Sequence, residues 1–197
     1  MSNMAPTTSR LPAAARREQL LDVTKRIVVE HGFHAVSMES VARNAGITRP
    51  IVYGHFGDLT KLLEALVERE SLRALGQLAR VVPTDLGDDP RANLLVAYGG
   101  YLEAVAGDPD TWRLVLMPPE GAPEVLRDAI SLGRTAVVEQ IAAAVGAVGD
   151  SPDPELTART LSALADESAR LVLTDPEAYS TERLMLHARW LLEQFLG

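Results

Sequence analysis

Apolar residues recur at helical spacing along most of the chain, and glycine- and proline-rich breaks divide these runs into separate helices. The pattern predicts a long helix over residues 59–81 that ends before a Gly-, Asp- and Pro-rich stretch. Further helices are predicted at 91–106, 109–116, 123–148, 154–173 and 181–195. No stretch alternates with a period of two for long enough to predict a β-strand. The pattern therefore predicts an all-α protein.

Two short helical patterns, separated by a glycine, occupy residues 37–56. Ser37 is a candidate N-cap for the first, whose apolar residues fall on one face. Gly46 stands where a helix must end in a left-handed residue and turn sharply. Thr48 can cap the second pattern, and Pro50 suits its first turn because the missing amide would have no partner there. This arrangement is typical of a helix-turn-helix that binds DNA.

The second short helix offers an outward face suited to the major groove. Val52 and Phe56 are spaced to face the core, so most of the other side chains point outward. Arg49 can donate two hydrogen bonds to guanine O6 and N7, a contact worth roughly 1–3 kcal/mol of discrimination. Ile51 can contact a thymine methyl, and Gly54 would let the helix approach closely. The predicted base contacts are Arg49, Pro50, Ile51 and Gly54.

Polar groups in and beside this helix suit phosphate oxygens, which position a protein on DNA without distinguishing sequences. The predicted phosphate contacts are Ser37, Thr48, Tyr53, His55 and Lys61. Glu39 has two interpretations. It can accept a hydrogen bond from cytosine N4, or it can simply stabilise the first turn of its own helix through the helix dipole.

Charge is distributed unevenly along a chain whose formal net charge is −8. Residues 1–58 contain seven Lys/Arg and five Asp/Glu, a charge of +2, whereas residues 59–197 carry −10. The asymmetry favours DNA binding at the N-terminal end only. Further cations there can reach phosphates, although an ordinary solvated surface explains them equally well. These are Arg10, Arg16, Arg17 and Arg43.

A longer set of residues carries a family resemblance. The set comprises Gly32-Phe33, Ser37-Met38, Val41-Ala42, Ala45-Gly46-Ile47-Thr48, Val52-Tyr53-x-His55-Phe56 and Leu62-Leu63. With them, residues of about 17–63 resemble the DNA-binding domain of the tetracycline-repressor-like (TetR) family of bacterial transcription regulators. The resemblance implies a three-helix DNA-binding domain, which we place at 16–58. Residues 1–15 before it are predicted to form a disordered arm. It also implies an all-helical domain over 59–197 that dimerises and holds a small molecule.

The same resemblance implies a mechanism: a repressor that binds a palindromic operator as a homodimer and is released by its ligand. Whether the chain represses or activates stays open. One position departs from the family pattern. Family members often carry a phosphate-binding Lys three positions after the aromatic residue that ends the second helix, and here Leu59 occupies that position. Lys61 is the alternative, although a two-residue offset on a helix points about 200° away.

Aromatic residues and two adjacent glycines suggest a ligand pocket. Gly99-Gly100 interrupt a helical run at a cost of about 1 kcal/mol each relative to Ala, which a close approach of a helix or a ligand would explain. The predicted pocket residues are Tyr98, Tyr101, Trp112, Leu116 and Met117. The expected ligand is largely apolar. The alternative is that these side chains simply form the core.

The last two helices carry broad apolar stripes, which a chain of this length cannot easily cover on its own. We therefore predict a homodimer, whose two recognition helices would lie about 34 Å apart. The predicted interface residues are Leu161, Leu164, Leu171, Leu184, His187, Leu191 and Phe195. The alternative is that the stripes face the protomer core. Within the first of these helices, Asp166 or Glu167 would need a partner such as Arg170, or a cationic ligand group, if it faced inward.

Other functional classes find little support in the sequence. The chain has no cysteine, no secretory signal and no uncharged apolar stretch of the roughly 20 residues that span a bilayer, so we expect a cytoplasmic protein. His31 and His34 flank a glycine that marks a helix end, and we predict no metal site and no cofactor. Neither a nucleophile elbow nor a phosphate-binding glycine loop is present, so we predict that the chain is not an enzyme. A helical ligand-binding protein or enzyme without DNA binding is the alternative, but it gives no reason for Arg49-Pro50.

Overall fold

The computed structural model of the protein describes residues 11–149 and 151–195, and over these residues it contains nine α-helices and no β-strand. The helices are α1 (Ala13–His31), α2 (Met38–Asn44), α3 (Arg49–Phe56), α4 (Leu59–Leu78), α5 (Pro90–Gly107), α6 (Pro109–Leu116), α7 (Glu124–Val148), α8 (Pro154–Thr174) and α9 (Thr181–Phe195), with a short 3-10 helix at Phe33–Ala35. The predicted all-α fold is confirmed. Within the described residues, no helix combines the length and the apolar character needed to cross a bilayer.

The N-terminal end differs from the predicted disordered arm. Residues 1–10, including Arg10, lie outside the described residues. Residues 13–15 of the predicted arm instead form the first turn of α1. All three are alanine, the residue with the highest helix propensity, and Pro12 precedes them at the N-cap. Composition alone therefore favours helix at this point.

Contacts between residues divide the chain into two units, Met1–Leu66 and Val67–Gly197. The division falls inside α4 and not at its start, where the sequence pattern placed the domain boundary. Leu62 and Leu66, on the first turns of α4, are 0% and 1% exposed. The first unit therefore includes the beginning of this helix.

The first unit is a small helical body built from α1, α2, α3 and the start of α4. Long apolar side chains of α1, such as Leu20 and Val28, are fully buried. In α3, Val52 and Phe56 are the buried residues, as the spacing predicted. A helix of only eight residues is marginal in isolation, so this burial is what fixes its orientation.

The second unit contains the later part of α4 and the helices α5 to α9. Its main core lies among α4, α5, α6, α8 and α9 and is formed by Ala74, Tyr101, Leu102, Val105, Trp112, Leu116, Ala169, Val172, Leu173 and Leu184. A smaller cluster joins Leu86 to Ala144 and Val145 of α7. The ends of these helices match the Gly/Pro breaks of the sequence.

The predicted close approach at Gly99-Gly100 is confirmed. A Cβ atom on Gly100 would lie 2.8 Å from Cγ1 of Val81, and one on Gly99 would lie 3.2 Å from Sδ and Cε of Met185. Real Cβ atoms essentially never come within 3.0 Å of another heavy atom, so any other residue at position 100 would force Val81 to shift. Because the two glycines have no side chains, Val81, which follows α4, and Met185 of α9 pack directly on α5.

Candidate nucleic-acid interface and ligand cavity

A reciprocal capping box fixes the start of α2. The Ser37 hydroxyl accepts a hydrogen bond from the Ser40 amide at 2.9 Å, and the Ser40 hydroxyl accepts one from the Ser37 amide at 2.8 Å. At the other end, Gly46 takes the left-handed conformation with φ of +66°, and the Ile47 amide donates to the Ala42 carbonyl at 3.0 Å. The sharp turn predicted between the two short helices is therefore confirmed.

Thr48 takes the N-cap position of α3, but its side chain makes no capping hydrogen bond. The sequence predicted such a cap, and this part of the prediction is wrong. Pro50 lies in the first turn of the helix as predicted, where its missing amide removes one unpaired donor. The exposed Thr48 hydroxyl therefore remains available to a ligand such as a DNA phosphate.

The four residues predicted to contact bases are all exposed on α3. Arg49, Pro50 and Ile51 form its first turn, with Ile51 41% exposed. Gly54 has no heavy atom within 4 Å of the place where a Cβ would stand. The helix therefore exposes the guanidinium of Arg49, the apolar side chain of Ile51 and, at Gly54, a position without a side chain.

Of the predicted phosphate contacts, Ser37, Thr48, Tyr53 and Lys61 are exposed and His55 is half-buried. The Lys61 amide donates to Oδ1 of Asp58 at 2.8 Å, and Lys61 Nζ lies 3.7 Å from Oδ2 of the same carboxylate. Asp58 thus caps the start of α4 and holds the ammonium loosely. The Lys61 side chain is 67% exposed, so this pair is weak and easily exchanged for another anion.

Glu39 meets Arg49 across the turn, a contact that the sequence did not predict. Their side chains approach to 3.8 Å, and both are more than half exposed, at 67% and 56%. Exposed pairs of this kind contribute about 0–1 kcal/mol. The contact therefore orients the guanidinium between α2 and α3 without immobilising it.

Arg17 has a structural role that the sequence did not reveal. Its Nη1 donates to the His55 carbonyl at 3.3 Å, and its guanidinium lies 4.6 Å from the centre of the Phe56 ring. A cation at the C-terminus of a helix is favoured by the helix dipole. Arg17 therefore fixes the end of α3. Arg16 is similarly engaged, with Nη1 donating to Gln19 Oε1 at 2.6 Å.

The second unit contains a cavity of about 680 Å³, within the range of small-molecule sites. Its walls are almost entirely apolar. Of the predicted pocket residues, four line it: Tyr98, Tyr101, Trp112 and Leu116. Met117, 40% exposed, is not part of the lining. The sequence missed the contributions of α4 and α7, among them Leu75, Leu78, Ile130, Gly133 and Ile141, because nothing local distinguishes a cavity wall from a core.

One wall of this cavity carries a polar cluster. The Tyr101 hydroxyl donates to Oδ1 of Asp166 at 3.3 Å, and Arg134 Nη2 donates to Oδ2 of Asp166 at 2.7 Å. Burial raises the pKa of the Tyr101 phenol above its ordinary value of 10.0, and the negative charge of Asp166 raises it further. Asp166 therefore faces inward and has a partner, but that partner is Arg134. The suggested Arg170 pairs with Glu167 at 3.1 Å instead.

A second polar network ties α4 to α6 within the core. Trp112 Nε1 donates to Gln77 Oε1 at 2.7 Å, and Gln77 Nε2 donates to Asp108 Oδ2 at 3.2 Å. Nearby, the Thr111 hydroxyl donates to Oε2 of Glu70 at 2.6 Å. Glu70 is only 1% exposed, so this bond lies inside the core. These bonds fix the Trp112 ring as one wall of the cavity.

The residues predicted for the dimer interface fall into different environments. Leu184 is 8% exposed and belongs to the protomer core, so it has little surface to offer a partner. Leu171 packs against the same core, whereas Leu161, Leu164 and Leu191 line the cavity. The side chain of Phe195 lies outside the described residues.

His187 is exposed on α9 and stacks on Trp190, with ring centres 5.6 Å apart. Two large apolar residues outside the predicted interface set share this surface: Trp190 is 50% exposed and Leu186 is 63% exposed. We call Leu186, His187 and Trp190 the α9 face.

Comparisons with known proteins agree on one family. Residues 20–66 match the family model "Bacterial regulatory proteins, tetR family". The HTH-type transcriptional activator FasR of Mycolicibacterium smegmatis is 29% identical over 107 residues, which cover 54% of this chain and 48% of FasR. The chain thus spans about half the length of FasR.

Solved structures extend the similarity to nearly the whole chain. A TetR-like transcriptional regulator from Rhodococcus sp. RHA1 is 27% identical with a TM-score of 0.74, covering 93% of this chain and 99% of that one. SmeT in complex with triclosan is 26% identical with a TM-score of 0.71, covering 91% of each chain. FasR and the Rhodococcus protein are transcriptional regulators by name, in agreement with the sequence prediction of a regulator and not an enzyme. Residues 20–66 thus match the tetR family of bacterial regulatory proteins, and the fold of the described residues is similar to that of TetR-like regulators.

Proposed function

We propose that this chain is a ligand-responsive transcription regulator of the cytoplasm that binds a palindromic operator as a homodimer and leaves it when a small molecule binds. The observation that carries the proposal is the exposed face of α3, on which Arg49, Pro50, Ile51 and Gly54 follow a capped helix and a tight turn. A short helix with this surface fits the major groove. In this proposal Arg49 distinguishes bases, while Thr48, Tyr53 and Lys61 contact phosphates.

The cavity of the second unit supports the ligand-responsive part of the proposal. Ser71, Ala74, Leu75 and Leu78 of α4 line it, and α4 also contributes Leu62 and Leu66 to the first unit. A ligand that favours one position of α4 is therefore coupled to the DNA-binding unit through a continuous helix. Coupling requires that the ligand bind more tightly to the state with low operator affinity. The relative SmeT binds triclosan in its complex, which supports an apolar small molecule as the ligand class.

A homodimer is supported by the α9 face. Exposed tryptophan and leucine side chains on one helix are the kind of anchor that protein interfaces use. In a two-fold dimer the same face of each protomer meets its copy. The two copies of α3 would then lie about 34 Å apart and require an operator with matching symmetry.

The proposal is tested by titrating the protein into fluorescently labelled DNA from the region upstream of its own gene, with anisotropy as the readout. We expect tight binding that survives an excess of unrelated DNA and weakens as salt is raised, because phosphate contacts release counterions. If the upstream region competes no better than unrelated DNA, selection from a random-sequence library identifies the operator. Failure of that selection would overturn the proposed DNA-binding function.

A further inference from the structure

We propose that the ligand of the cavity is an amphipathic cation, with an apolar body and an ammonium or guanidinium-like group that takes the place of Arg134 beside Asp166. The inference rests on the proposed ligand-responsive function and names the chemical class of the ligand. It is carried by an asymmetry between the two charged side chains of the cavity wall.

Among the described residues that line the cavity, Arg134 and Asp166 are the only charged ones. They form one ion pair, with 2.7 Å between Arg134 Nη2 and Asp166 Oδ2. The rest of the wall is apolar or carries neutral hydroxyl groups. A ligand therefore contacts either the intact ion pair or one of its two residues. Which ligand binds depends on whether Arg134 or Asp166 can move away from the cavity.

The carboxylate is fixed and the guanidinium is exchangeable. The Asp166 side chain is 17% exposed and is held from a second side by the Tyr101 hydroxyl at 3.3 Å. The Arg134 side chain is 49% exposed and sits on a long, flexible stem. Arg134 also borders a second, more polar depression with Glu139, so the guanidinium has a route to water. Its release exposes the guanidinium to water, so the move carries no desolvation cost.

This asymmetry discriminates between ligands by charge. An anionic ligand would have to draw Arg134 away and leave the largely buried Asp166 carboxylate without its cation, which is strongly unfavourable. A neutral ligand leaves the pair intact and gains only from the apolar walls. A cationic ligand replaces one cation at Asp166 with another and releases Arg134 to the solvent. The cation therefore gains the contact with the carboxylate in addition to the apolar walls, whereas a neutral ligand gains the walls alone.

Two further features favour a cation. Tyr98, Tyr101 and Trp112 line the same cavity, and aromatic rings attract a cation that has lost its water. The Tyr101 phenol lies beside the carboxylate itself, so one cationic group can contact both. Residues 59–197 also carry a formal charge of −10, which raises the local concentration of cations around this part of the chain. The volume of about 680 Å³ leaves room for a sizeable apolar body.

The test uses three probes with the same octyl chain: octylammonium, octanol and octanoate. Each is titrated into the full chain by isothermal titration calorimetry at neutral pH, without DNA. We expect octylammonium to bind about tenfold more tightly than octanol, and octanoate to bind more weakly than octanol. Octanoate binding more tightly than octanol, or no binding of octylammonium up to millimolar concentration, would overturn the inference.

Two variants separate the roles of the pair. Asp166→Asn should lower octylammonium affinity about tenfold and leave octanol affinity unchanged, which also reports an intact cavity. Arg134→Gln should raise octylammonium affinity, because it removes the competing cation. A merely structural ion pair would predict the reverse for Arg134→Gln, and that result would refute the exchange. Because Arg134 is half exposed, Arg134→Gln is expected to fold even if Asp166→Asn fails to fold.

Failure of this inference is distinguishable from failure of the proposed function, because the calorimetry involves no DNA. Tight octylammonium binding with unchanged operator affinity would contradict ligand release and leave the cation site established. Operator binding with no preference for octylammonium would support DNA binding and refute the cation site.

Discussion

Arg49 is the side chain on which the proposed sequence recognition depends most. It projects from the first turn of α3, is 56% exposed and forms a loose ion pair with Glu39 at 3.8 Å. Arg49→Ala is expected to weaken operator binding by roughly 1–3 kcal/mol, about 5- to 150-fold, and to relax the preference at one base pair. Stability should change little, because an exposed ion pair contributes little. Anisotropy titrations against the operator and its single-base variants measure both effects.

The matched control for Arg49 is Arg26→Ala, which removes one positive charge from an exposed position of α1. It should reduce affinity for every DNA sequence slightly and equally, through the loss of long-range attraction. Equal losses in the two variants would mean that Arg49 contributes charge alone and does not discriminate between bases.

Tyr101 gives the chain a predictable response to alkaline pH. Its pKa is raised above the ordinary value of 10.0 in the folded state, first by burial and then by Asp166. Above about pH 10 the unfolded chain releases this proton while the folded chain retains it. The stabilising contribution is therefore complete below pH 10, and the free energy of unfolding falls as pH rises above it.

Urea denaturation at pH 8 to 11 measures this fall, with Tyr101→Phe as the comparison. The variant lacks the titrating phenol, so its stability should decline less steeply above pH 10 than that of the wild type. Parallel declines would show that other groups govern the alkaline response.

At the level of single residues, the sequence predicts what depends on neighbours along the chain. The burial of Val52 and Phe56 follows from helical spacing, and the left-handed Gly46 follows from the turn. The bond from Arg17 to the His55 carbonyl joins residues 38 positions apart, and that from Arg134 to Asp166 joins residues 32 apart. Such pairs depend on packing between helices, which no local pattern contains.

The ends of the two short helices are predicted to respond differently to loss of a hydroxyl group. Ser37→Ala removes the cap of α2 and should lower the free energy of unfolding by about 1 kcal/mol. Thr48→Ala should cost less than about 0.5 kcal/mol, because the Thr48 side chain makes no capping bond, yet it should weaken operator binding. Urea denaturation and anisotropy measure the two quantities. An equal loss of stability in both variants would indicate that Thr48 does cap α3 in solution.

The surface of α3 offers a test of how closely this helix approaches DNA. Gly54 lies inside the helix with open space around it, so Gly54→Ala should raise the free energy of unfolding by roughly 0.5–1 kcal/mol. The same methyl group should weaken operator binding if the helix enters the groove on that side.

Gly76→Ala is the control for Gly54, because Gly76 also lies inside a helix, α4, with no heavy atom within 4 Å of a Cβ. It should stabilise the chain similarly and leave operator affinity unchanged. Unchanged operator affinity in Gly54→Ala would place the DNA on another side of α3.

At the level of elements, glycine and proline made most helix boundaries predictable. The end of α4 differs from the prediction: the helix ends at Leu78, although the apolar pattern extends to 81. The amides of Val81 and Val82 both donate to the Leu78 carbonyl, which ends the helix in a turn before Pro83. The residue before proline, here Val82, disfavours helical backbone, so the helix cannot continue into Pro83.

For the whole molecule, the α9 face determines the predicted oligomeric state. A double substitution, Leu186→Glu with Trp190→Glu, places two charges on this exposed apolar surface. We expect it to convert a dimer to a monomer at micromolar concentration in sedimentation velocity and to abolish high-affinity binding to a palindromic operator. The second effect follows because a monomer contacts only one half-site.

Leu132→Glu is the control, since Leu132 is 74% exposed on α7 and lies apart from α9 along the chain. This variant should remain dimeric. A wild-type chain that sediments as a monomer would contradict the predicted homodimer outright.

The arrangement of the second unit could be predicted only in part. The apolar stripes of α8 and α9 were evident in the sequence, but stripes do not reveal how much of each face the protomer covers itself. Leu184 entered the core and Leu161 the cavity wall, because α5 and α7 pack on these helices. The polar pair at Asp166 was likewise visible only as a charged residue in an apolar helix. Its partner depended on the placement of α7.

The division of the chain inside α4 has a consequence for the construction of hybrid biosensors. A domain exchange cut at residue 58 would remove Leu62 and Leu66 from the unit that buries them, whereas a cut after residue 66 retains both. The joint must also preserve the phase of the helix, since each inserted or deleted residue turns the following segment by about 100°. Donor sequences are therefore best joined in register, at equivalent positions of this one helix.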